Sequence, residues 1–326
     1  MRILNREAVA EALSHAECID AVEAAMRAVS RGDTIMPLRR YMDIPGHGGK
    51  FTLMPGYLGE PCTFGVKIVS KYPRSPDSPY GSHVGAVMIF DSQQGIPLAL
   101  LDGSELTAIR TAAASALATR ILARPGGATL AILGTGTQAQ HHVRALSCVR
   151  PIAEVRVWGR TDAHARRLVR RLALPASVSA RVCDDAREAV DGADIVCTTT
   201  SAAEPVLEGK WLAPGCHVNL VGAAIASSSE ADVDVVTRSR FFVDYKASAM
   251  DQAGELLAAI RDGVVSESHI AGEIGDVLTG DVSGRRDDEE ITVYKSLGVA
   301  AQDLAAAYAA YRNAESRNIG VDLTWD

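Results

Sequence analysis

A glycine-rich segment lies near the middle of the chain of 326 residues, directly after an apolar run that ends at Leu133. The segment follows the pattern GxGxxA and opens a stretch with helical spacing. In this pattern the first glycine permits a tight turn, the second lets the backbone approach a pyrophosphate, and the alanine allows close packing of helix on strand. The N–H groups at the helix start then face the phosphates. We therefore expect a dinucleotide to bind at Gly134, Gly136, Thr137, Gln138 and Ala139. The alternative is a glycine-rich turn without a ligand.

The next predicted strand ends at Trp158 and continues into Gly159-Arg160-Thr161. NAD sites usually place Asp or Glu here to bind the ribose 2′-hydroxyl. Arg160 can instead pair with a 2′-phosphate, and Thr161 can donate a hydrogen bond to it. The sequence thus favours NADP(H), with NAD(H) possible, unless Arg160 is only a solvated cation at the strand end.

Strands alternate with helices from Thr129 to Val243, as expected of a parallel sheet. The predicted strands are 129–133, 154–158, 179–182, 195–199, 217–221 and 241–243, and the predicted helices are 137–148, 163–174 and 186–190. From Ala249 onward the chain is predicted to be helical and polar. The fold class is therefore α/β, with a Rossmann-type doubly wound parallel sheet.

The flanking regions predict a second, α+β domain. One helix is expected from Asn5 to about Arg31, followed by an antiparallel sheet up to Leu101 and a buried helix over 106–123. The Ala-rich helix 300–312 can pack back on this domain. We expect residues 1–123 with 300–326 to form a substrate-binding and dimerisation domain, and residues 124–299 to form the dinucleotide-binding domain.

Charge and composition exclude several classes of partner. The net charge of −7 argues against nucleic acid and anionic membranes, which need a basic surface. No apolar run approaches the roughly 20 residues of a membrane span. The six cysteines are scattered without a CxxC pair, so neither a metal site nor a disulfide framework is expected, and a cytoplasmic location fits.

Several motifs together resemble the ornithine cyclodeaminase/μ-crystallin family. They lie, in the family's order, at 36–39 (MPLR), 64–67 (FGVK), 106–115 (LTAIRTAAAS), 281–285 (DVSGR) and 292–298 (TVYKSLG). The resemblance covers essentially the whole chain. It implies a homodimer whose first domain, with the C-terminal helix, forms the interface and holds the substrate.

The resemblance also implies site residues. Arg39 and Arg110 match positions near the substrate carboxylate and the cofactor, and a guanidinium can bind a carboxylate through two hydrogen bonds. Lys67 matches an active-site lysine that can polarise an imine or relay a proton. Because an unpaired ammonium is costly to bury in an apolar strand, we expect Lys67 to have an anionic partner, for which the substrate is a candidate. The cofactor-binding set further includes Ser82, Thr111 and Ser296.

The chain departs from the family's cyclodeaminases at two acidic positions. Aligned on Glu230, Ala224 occupies the position of an aspartate that acts on the amine of the substrate side chain. Thr52, ahead of Met54-Pro55, replaces a second acid. Without these carboxylates, deprotonation of a distal ammonium is not expected. Asp232 and Asp234 could compensate, but we expect them at the surface.

These observations favour an NAD(P)H-dependent enzyme that reduces a small cyclic or acyclic α-imino acid to an amino acid, or catalyses the reverse dehydrogenation. Two alternatives stay open: a lyase of the same family, such as a cyclodeaminase or hydroxyproline dehydratase, and a non-catalytic NADPH-binding protein of the crystallin type.

Overall fold

The computed structural model describes residues 1–72, 80, 81 and 83–324. The chain forms two compact units, Met1–Arg110 with Gly298–Asp326, and Thr111–Leu297. Within the described residues, no helix is long and apolar enough to cross a membrane.

The first unit begins with a short strand, two helices and a series of antiparallel strands. Its elements are β1 (Arg2–Leu4), α1 (Arg6–Ala12), α2 (His15–Ser30), β2 (Thr34–Ile35), β3 (Arg40–Ile44), β4 (Gly49–Leu58), β5 (Thr63–Lys71), β6 (His83–Asp91), β7 (Pro97–Asp102) and α3 (Gly103–Leu122). The last of these, α3, runs on into the second unit. The predicted antiparallel strands and the buried helix are present.

The single helix predicted from Asn5 to Arg31 is wrong, because the chain breaks at Leu13-Ser14. Leu13 is extended, and Ser14 starts α2 with a capping box in which its hydroxyl accepts the N–H of Glu17 and its own N–H donates to the Glu17 carboxylate. This reciprocal pairing satisfies the first N–H groups of a new helix. The apolar spacing continues across the break, so periodicity alone does not show it.

The second unit contains an eight-stranded sheet with helices between its strands. Its elements are β8 (Ala128–Leu133), α4 (Thr137–Ser147), β9 (Ile152–Trp158), α5 (Asp162–Arg171), β10 (Ser179–Val182), α6 (Ala186–Val190), β11 (Ile195–Thr198), β12 (His217–Leu220), α7 (Val233–Thr237), β13 (Ser239–Val243), α8 (Lys246–Gln252), α9 (Gly254–Arg261), β14 (Ile270–Glu273), α10 (Ile274–Thr279) and β15 (Ile291–Lys295), with short 3₁₀ turns at Gly209–Trp211 and Glu267–His269.

The strand order in this sheet is β10-β9-β8-β11-β12-β15-β13-β14, and the paired strands are parallel. From β8 the chain proceeds to one side through β9 and β10, then crosses to the other side at β11. Alternate residues of β8 enter two separate apolar cores, one containing Leu130 and Ile132 and the other Ala131 and Leu133. The prediction of a doubly wound parallel sheet is confirmed. A ligand in such a sheet binds outside the carboxyl ends of the strands where the order reverses, here between β8 and β11.

Two strands of this sheet, β14 and β15, were not predicted from the sequence. The region after Ala249 was expected to be helical, yet all five residues of β15 are buried between β12 and β13. In the charged segment before β15, Arg285 is half-buried and donates to the carbonyl of Leu122 at 2.7 Å and to the hydroxyl of Thr292 at 3.0 Å.

The chain returns to the first unit through α11 (Ala300–Arg317) and β16 (Val321–Asp322). The sheet of this unit has the order β16-β1-β7-β6-β5-β4-β2, with β3 also paired to β4. Helix α11 packs on one face of the sheet, where a side chain at Gly65 would meet Leu304 and one at Gly56 would meet Ala300. The glycines of β4 and β5 therefore let the helix approach the sheet closely.

Candidate active site and cofactor loop

The glycine loop joins β8 to α4, in the strand–turn–helix context that the sequence predicts. Gly134 has φ +125°, and a Cβ there would lie 2.7 Å from the carbonyl oxygen of Thr199. Both facts require glycine. Gly136 is the residue before α4, and a Cβ at this position would meet open space. Ala139 is fully buried in the core beside Leu130 and Ile132.

The open side of Gly136 matches what a bound pyrophosphate needs. Thr137 and Gln138 form the first turn of α4, and the preceding glycine supplies no side-chain acceptor for their N–H groups. A helix start of this kind binds anionic oxygens through its N–H groups and its dipole. The residues present therefore fit a dinucleotide.

The end of β9 lies against the glycine loop. A Cβ at Gly159 would be 2.5 Å from the Cγ2 of Thr135, so this turn packs on the loop only as glycine. Arg160 and Thr161 follow directly and are exposed. Arg160 makes no ion pair within the described part of the chain, so its guanidinium is available to a ligand.

Lys67, Arg110 and Asp303 form a buried charge cluster in the first unit. The Nζ atom of Lys67, on β5, lies 2.9 Å from Oδ1 and 2.8 Å from Oδ2 of Asp303, on α11. The Nε atom of Arg110, on α3, donates to the same Oδ1 at 2.8 Å. The Lys67 side chain is 4% exposed and that of Asp303 is 1% exposed. One carboxylate therefore holds two cations from different elements.

The environment shifts the pKa values of these groups. Burial, together with the neighbouring Arg110 and Arg39 guanidinium groups, lowers the pKa of Lys67 to about 7, although Asp303 opposes the shift. Burial acts to raise the pKa of Asp303, but Arg110 and Lys67 outweigh it, so that this pKa is lowered. The two cations thus favour the ionised form of Asp303, and burial favours the neutral form of Lys67.

Arg39 and Arg110 meet at Gly298. The Nη2 atom of Arg39 donates to the carbonyl oxygen of Gly298 at 2.5 Å. Gly298 has φ +78°, and a Cβ there would be 2.5 Å from Nη1 of Arg110. The structure thus brings the three predicted cations, Lys67, Arg39 and Arg110, into one cluster.

Three further residues, Thr111, Ser296 and Ser82, were predicted to bind the cofactor. Thr111 follows Arg110 on α3 and is 8% exposed. Ser296 follows β15 and is 2% exposed, and its hydroxyl has no hydrogen-bond partner among the described residues. A buried hydroxyl without a partner at the carboxyl end of a strand fits a cofactor contact. Ser82 lies outside the described residues.

Asp303 was missed by the sequence analysis, as was Gln302, whose Oε1 accepts a hydrogen bond from Arg110 at 3.2 Å. Both lie in the first turn of the Ala-rich helix α11 and are buried. The sequence signal for Asp303 was a charged residue within an otherwise apolar, Ala-rich segment. Its partner could not be inferred, because Lys67 is 236 positions away in the chain.

The acids that follow Ala224 most closely in the chain are held by other contacts or are exposed. This residue lies in the loop between β12 and α7, where the acids are Glu230 and Asp232. Glu230 is fully buried and accepts hydrogen bonds from surrounding backbone and hydroxyl groups. Asp232 accepts the N–H groups of Gly209 and Val235 and so caps α7. Asp234, in the first turn of α7, is exposed.

Comparison with known proteins agrees with this arrangement. Residues 1–318 match the model of the ornithine cyclodeaminase/mu-crystallin family. The chain belongs to this family. It is 36% identical over 296 residues to the ketimine reductase mu-crystallin of Mus musculus, with 90% of each protein covered.

Two solved structures share the whole fold of this chain. One is the Δ1-pyrroline-2-carboxylate reductase of Thermococcus litoralis in complex with NADH and L-proline, with a TM-score of 0.95, 32% identity and coverage of 99% of this chain and 100% of that one. The other is an archaeal alanine dehydrogenase dimer with bound NAD, with a TM-score of 0.92, 32% identity and coverage of 100% and 99%. The predicted family and fold class are confirmed.

Proposed function

We propose that this protein is an NADP(H)-dependent oxidoreductase that reduces a small, preferably cyclic α-imino acid to the amino acid and catalyses the reverse dehydrogenation. The buried cluster of Lys67, Arg110 and Asp303 carries this proposal. Relatives named as ketimine reductase and pyrroline-2-carboxylate reductase support it.

The charge of the cluster suits an α-imino acid. With Lys67 protonated, Lys67, Arg39 and Arg110 carry three positive charges, and Asp303 supplies one negative charge. The excess of positive charge attracts a substrate carboxylate, for which the two guanidinium groups offer planar donors.

Lys67 is suited to proton transfer at the substrate nitrogen. A pKa of about 7 matches the neutral range in which a general acid works best. When an imine is reduced, its carbon gains a hydride and its nitrogen gains a proton, and the Nζ atom of Lys67 supplies that proton. A bound nicotinamide dinucleotide supplies the hydride. In the reverse reaction Lys67 accepts the proton from the amine.

The cofactor preference for NADP(H) rests on Arg160. Its exposed guanidinium, which has no ion-pair partner among the described residues, follows β9, where NAD enzymes usually place an acid. We expect Arg160→Asp to lose a charge-assisted contact worth about 1–3 kcal/mol and to shift the affinity ratio toward NADH. Titration of both variants with NADPH and NADH measures the ratio, and equal affinities in the unmodified protein would contradict the preference.

Reduction is favoured over cyclodeamination because Ala224 and Thr52 replace the family's acids. Thr52 lies on β4, two residues before Met54, which pairs with Lys67 in the ladder. A carboxylate at Thr52 would therefore face the same region as the Lys67 ammonium. Since both acids are missing, no group is assigned to deprotonate the distal amine of ornithine or lysine.

We also propose a homodimer. The side chains of Phe64, Val66, Met88, Phe90 and Leu100 lie on the sheet face opposite the one covered by α11 and are partly exposed. Phe64 and Phe90 stack with their ring centroids 5.1 Å apart. A continuous apolar face of this kind favours contact with a second copy.

Steady-state turnover tests the proposed reaction. The protein is mixed with NADPH and Δ1-pyrroline-2-carboxylate, and the near-UV absorbance of NADPH is followed. A parallel assay measures ammonia released from ornithine and lysine with catalytic cofactor. We expect NADPH oxidation with the cyclic imine and no ammonia above background. Ammonia release without net NADPH consumption would instead assign a lyase.

A further inference from the structure

The carboxylate of Glu230 joins the ends of two neighbouring strands. Its Oε1 accepts the N–H and the hydroxyl of Thr200, both at 2.7 Å. Its Oε2 accepts the hydroxyl of Thr198 at 2.9 Å and the N–H groups of Gly222 and Ala223 at 2.5 Å and 3.0 Å. Thr198 and Thr200 lie at the carboxyl end of β11, and Gly222 and Ala223 follow the end of β12.

Glu255 and Lys295 form a second buried pair that hydrogen-bonds to the same loop. The backbone N–H of Glu230 donates to Oε1 of Glu255 at 2.9 Å, and Oε2 of Glu255 lies 2.8 Å from the Nζ of Lys295. Lys295, the last residue of β15, also donates to the carbonyl oxygen of Ala223 at 2.6 Å. The side chains of Glu255 and Lys295 are 0% exposed. The backbone at Ala223 is thus held through both its N–H and its carbonyl.

Packing leaves this loop little freedom. A Cβ at Gly222 would lie 2.1 Å from the carbonyl oxygen of Thr200 and 2.5 Å from Oε1 of Glu230. Burying charges costs several kcal/mol unless each is paired and hydrogen-bonded. Here the carboxylate of Glu230 and the ammonium of Lys295 hold the backbone of Gly222 and Ala223 through direct hydrogen bonds.

The loop occupies the edge of the sheet where the second half of a dinucleotide falls. The strand order reverses between β8 and β11, and a dinucleotide extends across both halves of such a sheet. Arg160 and Thr161 mark the adenosine half at the end of β9. The nicotinamide half therefore falls on the side of β11, β12 and β15, whose carboxyl ends the Glu230 network connects.

Resting on the proposed function, we infer that Glu230, supported by Glu255 and Lys295, is a positioning residue that fixes the backbone of residues 222–224 for the nicotinamide half of the cofactor. It acts through the loop and does not touch the reacting atoms. Ser296, which follows Lys295 directly, places at the same edge a hydroxyl that has no hydrogen-bond partner in the described part of the chain.

This role predicts that Glu230→Gln weakens the binding of NADPH but not the binding of a cofactor fragment without nicotinamide. We call this difference the split between the two affinities. Glu230→Gln keeps the shape but sets an amide N–H₂ against groups that are already donors, so we expect the Kd for NADPH to rise about tenfold or more. The Kd for 2′-phospho-ADP-ribose, which lacks nicotinamide, should stay within about twofold, because the glycine loop and Arg160 are unchanged. Calorimetric titration of the full-length protein gives both values.

Asp194 provides a matched control at the opposite end of β11. It accepts the N–H of Thr129 at 2.9 Å and pairs with Arg124 at 2.9 Å. Asp194→Asn should lower the melting temperature and leave both affinities unchanged. If Glu230→Gln does not fold, Thr198→Val removes one donor to the same carboxylate without changing the shape, and it should show a smaller split in the same direction.

The outcomes separate the two proposals. A loss of NADPH affinity with retained affinity for the fragment supports positioning of the nicotinamide half. An equal loss of both affinities, or no loss of either, overturns it. If Glu230→Gln shows the split but the unmodified protein does not reduce cyclic imines, the proposed reaction fails while the positioning role stands.

Discussion

Asp303 changes how Lys67 is understood. The apolar strand around Lys67 predicts an anionic partner, and the substrate was one candidate. The structure supplies that partner from within the protein, through contacts of 2.8–2.9 Å to Asp303. Because Asp303 also pairs with Arg110, the cluster keeps an excess of positive charge and can still attract a carboxylate.

The pH dependence of catalysis should follow Lys67. Since its pKa in the folded protein is about 7, the fraction of protonated Lys67 falls as the pH rises through this value. We expect kcat/KM for imine reduction to decline above about pH 7. Lys67→Arg keeps the cation and does not lose its proton, so any remaining activity should lack this limb. Steady-state profiles between about pH 5 and 10 test both expectations.

Lys67→Met should lower turnover by about 10²–10⁴, the usual contribution of general acid–base catalysis, and leave NADPH affinity unchanged. Lys71, exposed at the end of the same strand, provides a control, because Lys71→Met should behave like the unmodified protein. Full activity in Lys67→Met would show that the lysine is structural and that another group supplies the proton.

Asp303 is predicted to be a positioning residue whose charge tunes Lys67. Asp303→Asn leaves two buried cations without their counter-charge, which should cost about 3–5 kcal/mol of unfolding free energy. Because Asp303 acts to raise the pKa of Lys67, the alkaline limb of kcat/KM should also move to lower pH. Asp322→Asn, which removes the exposed partner of Arg2, should lower stability far less, because solvent screens an exposed ion pair. A less stable Asp303→Asn enzyme with an unmoved limb would contradict the tuning role.

At the scale of elements, structure that is set by a short window of sequence was predicted. Structure that is set by contacts between distant segments was not. The glycine loop was predicted because strand, turn and helix signals are contiguous over residues 130–139. The break at Ser14 was missed because it rests on a capping box within a continuous apolar pattern. Strand β15 was missed because its five residues follow a charged segment and pair with strands that lie elsewhere in the chain.

The site residues divide in the same way, into those that lie in a local motif and those that are defined by distant partners. The cations were identified by motif, and the structure brings them together. Their counter-ion, Asp303, belongs to an element whose placement on the sheet is set by the fold, through Gly56 and Gly65. Likewise, nothing near Glu230 in the chain indicates that it would accept hydrogen bonds from the ends of two strands.

Strand β12 carries a titratable group that should affect acid stability. His217 is buried, with its Nδ1 atom 2.9 Å from the hydroxyl of Thr292, and burial lowers its pKa to about 3. Between this value and the ordinary value of about 6.5, the unfolded chain binds a proton that the folded protein does not. The stabilising contribution is therefore complete above about pH 6.5 and is lost as the pH falls toward 3.

Urea unfolding at pH 7 and pH 5 measures this contribution. His217→Gln cannot titrate, so its unfolding free energy should fall less between the two pH values than that of the unmodified protein. His164, which is exposed on α5, provides a control, since His164→Gln should keep the original pH dependence. Equal slopes in His217→Gln and the unmodified protein would show that other groups dominate.

At the scale of the whole molecule, the proposed dimer can be tested through the apolar sheet face. Phe64 is 37% exposed, and Phe64→Asp places a charge in the proposed interface, where an unpaired carboxylate is costly. We expect this variant to be monomeric in light scattering after size-exclusion chromatography. Val264, which is 52% exposed in the other unit, is the control, since Val264→Asp should stay dimeric. A dimeric Phe64→Asp variant would place the interface elsewhere.

Hydride addition to the α-imino carbon can be followed with a deuterium label. The protein is incubated with NADPH deuterated at C4 on the transferred face and with Δ1-pyrroline-2-carboxylate, and the product is examined by mass spectrometry and NMR. We expect proline with deuterium at the α-carbon and one NADP⁺ formed for each proline. Unlabelled product, or no NADP⁺ formed under conditions in which NADPH binds, would contradict it.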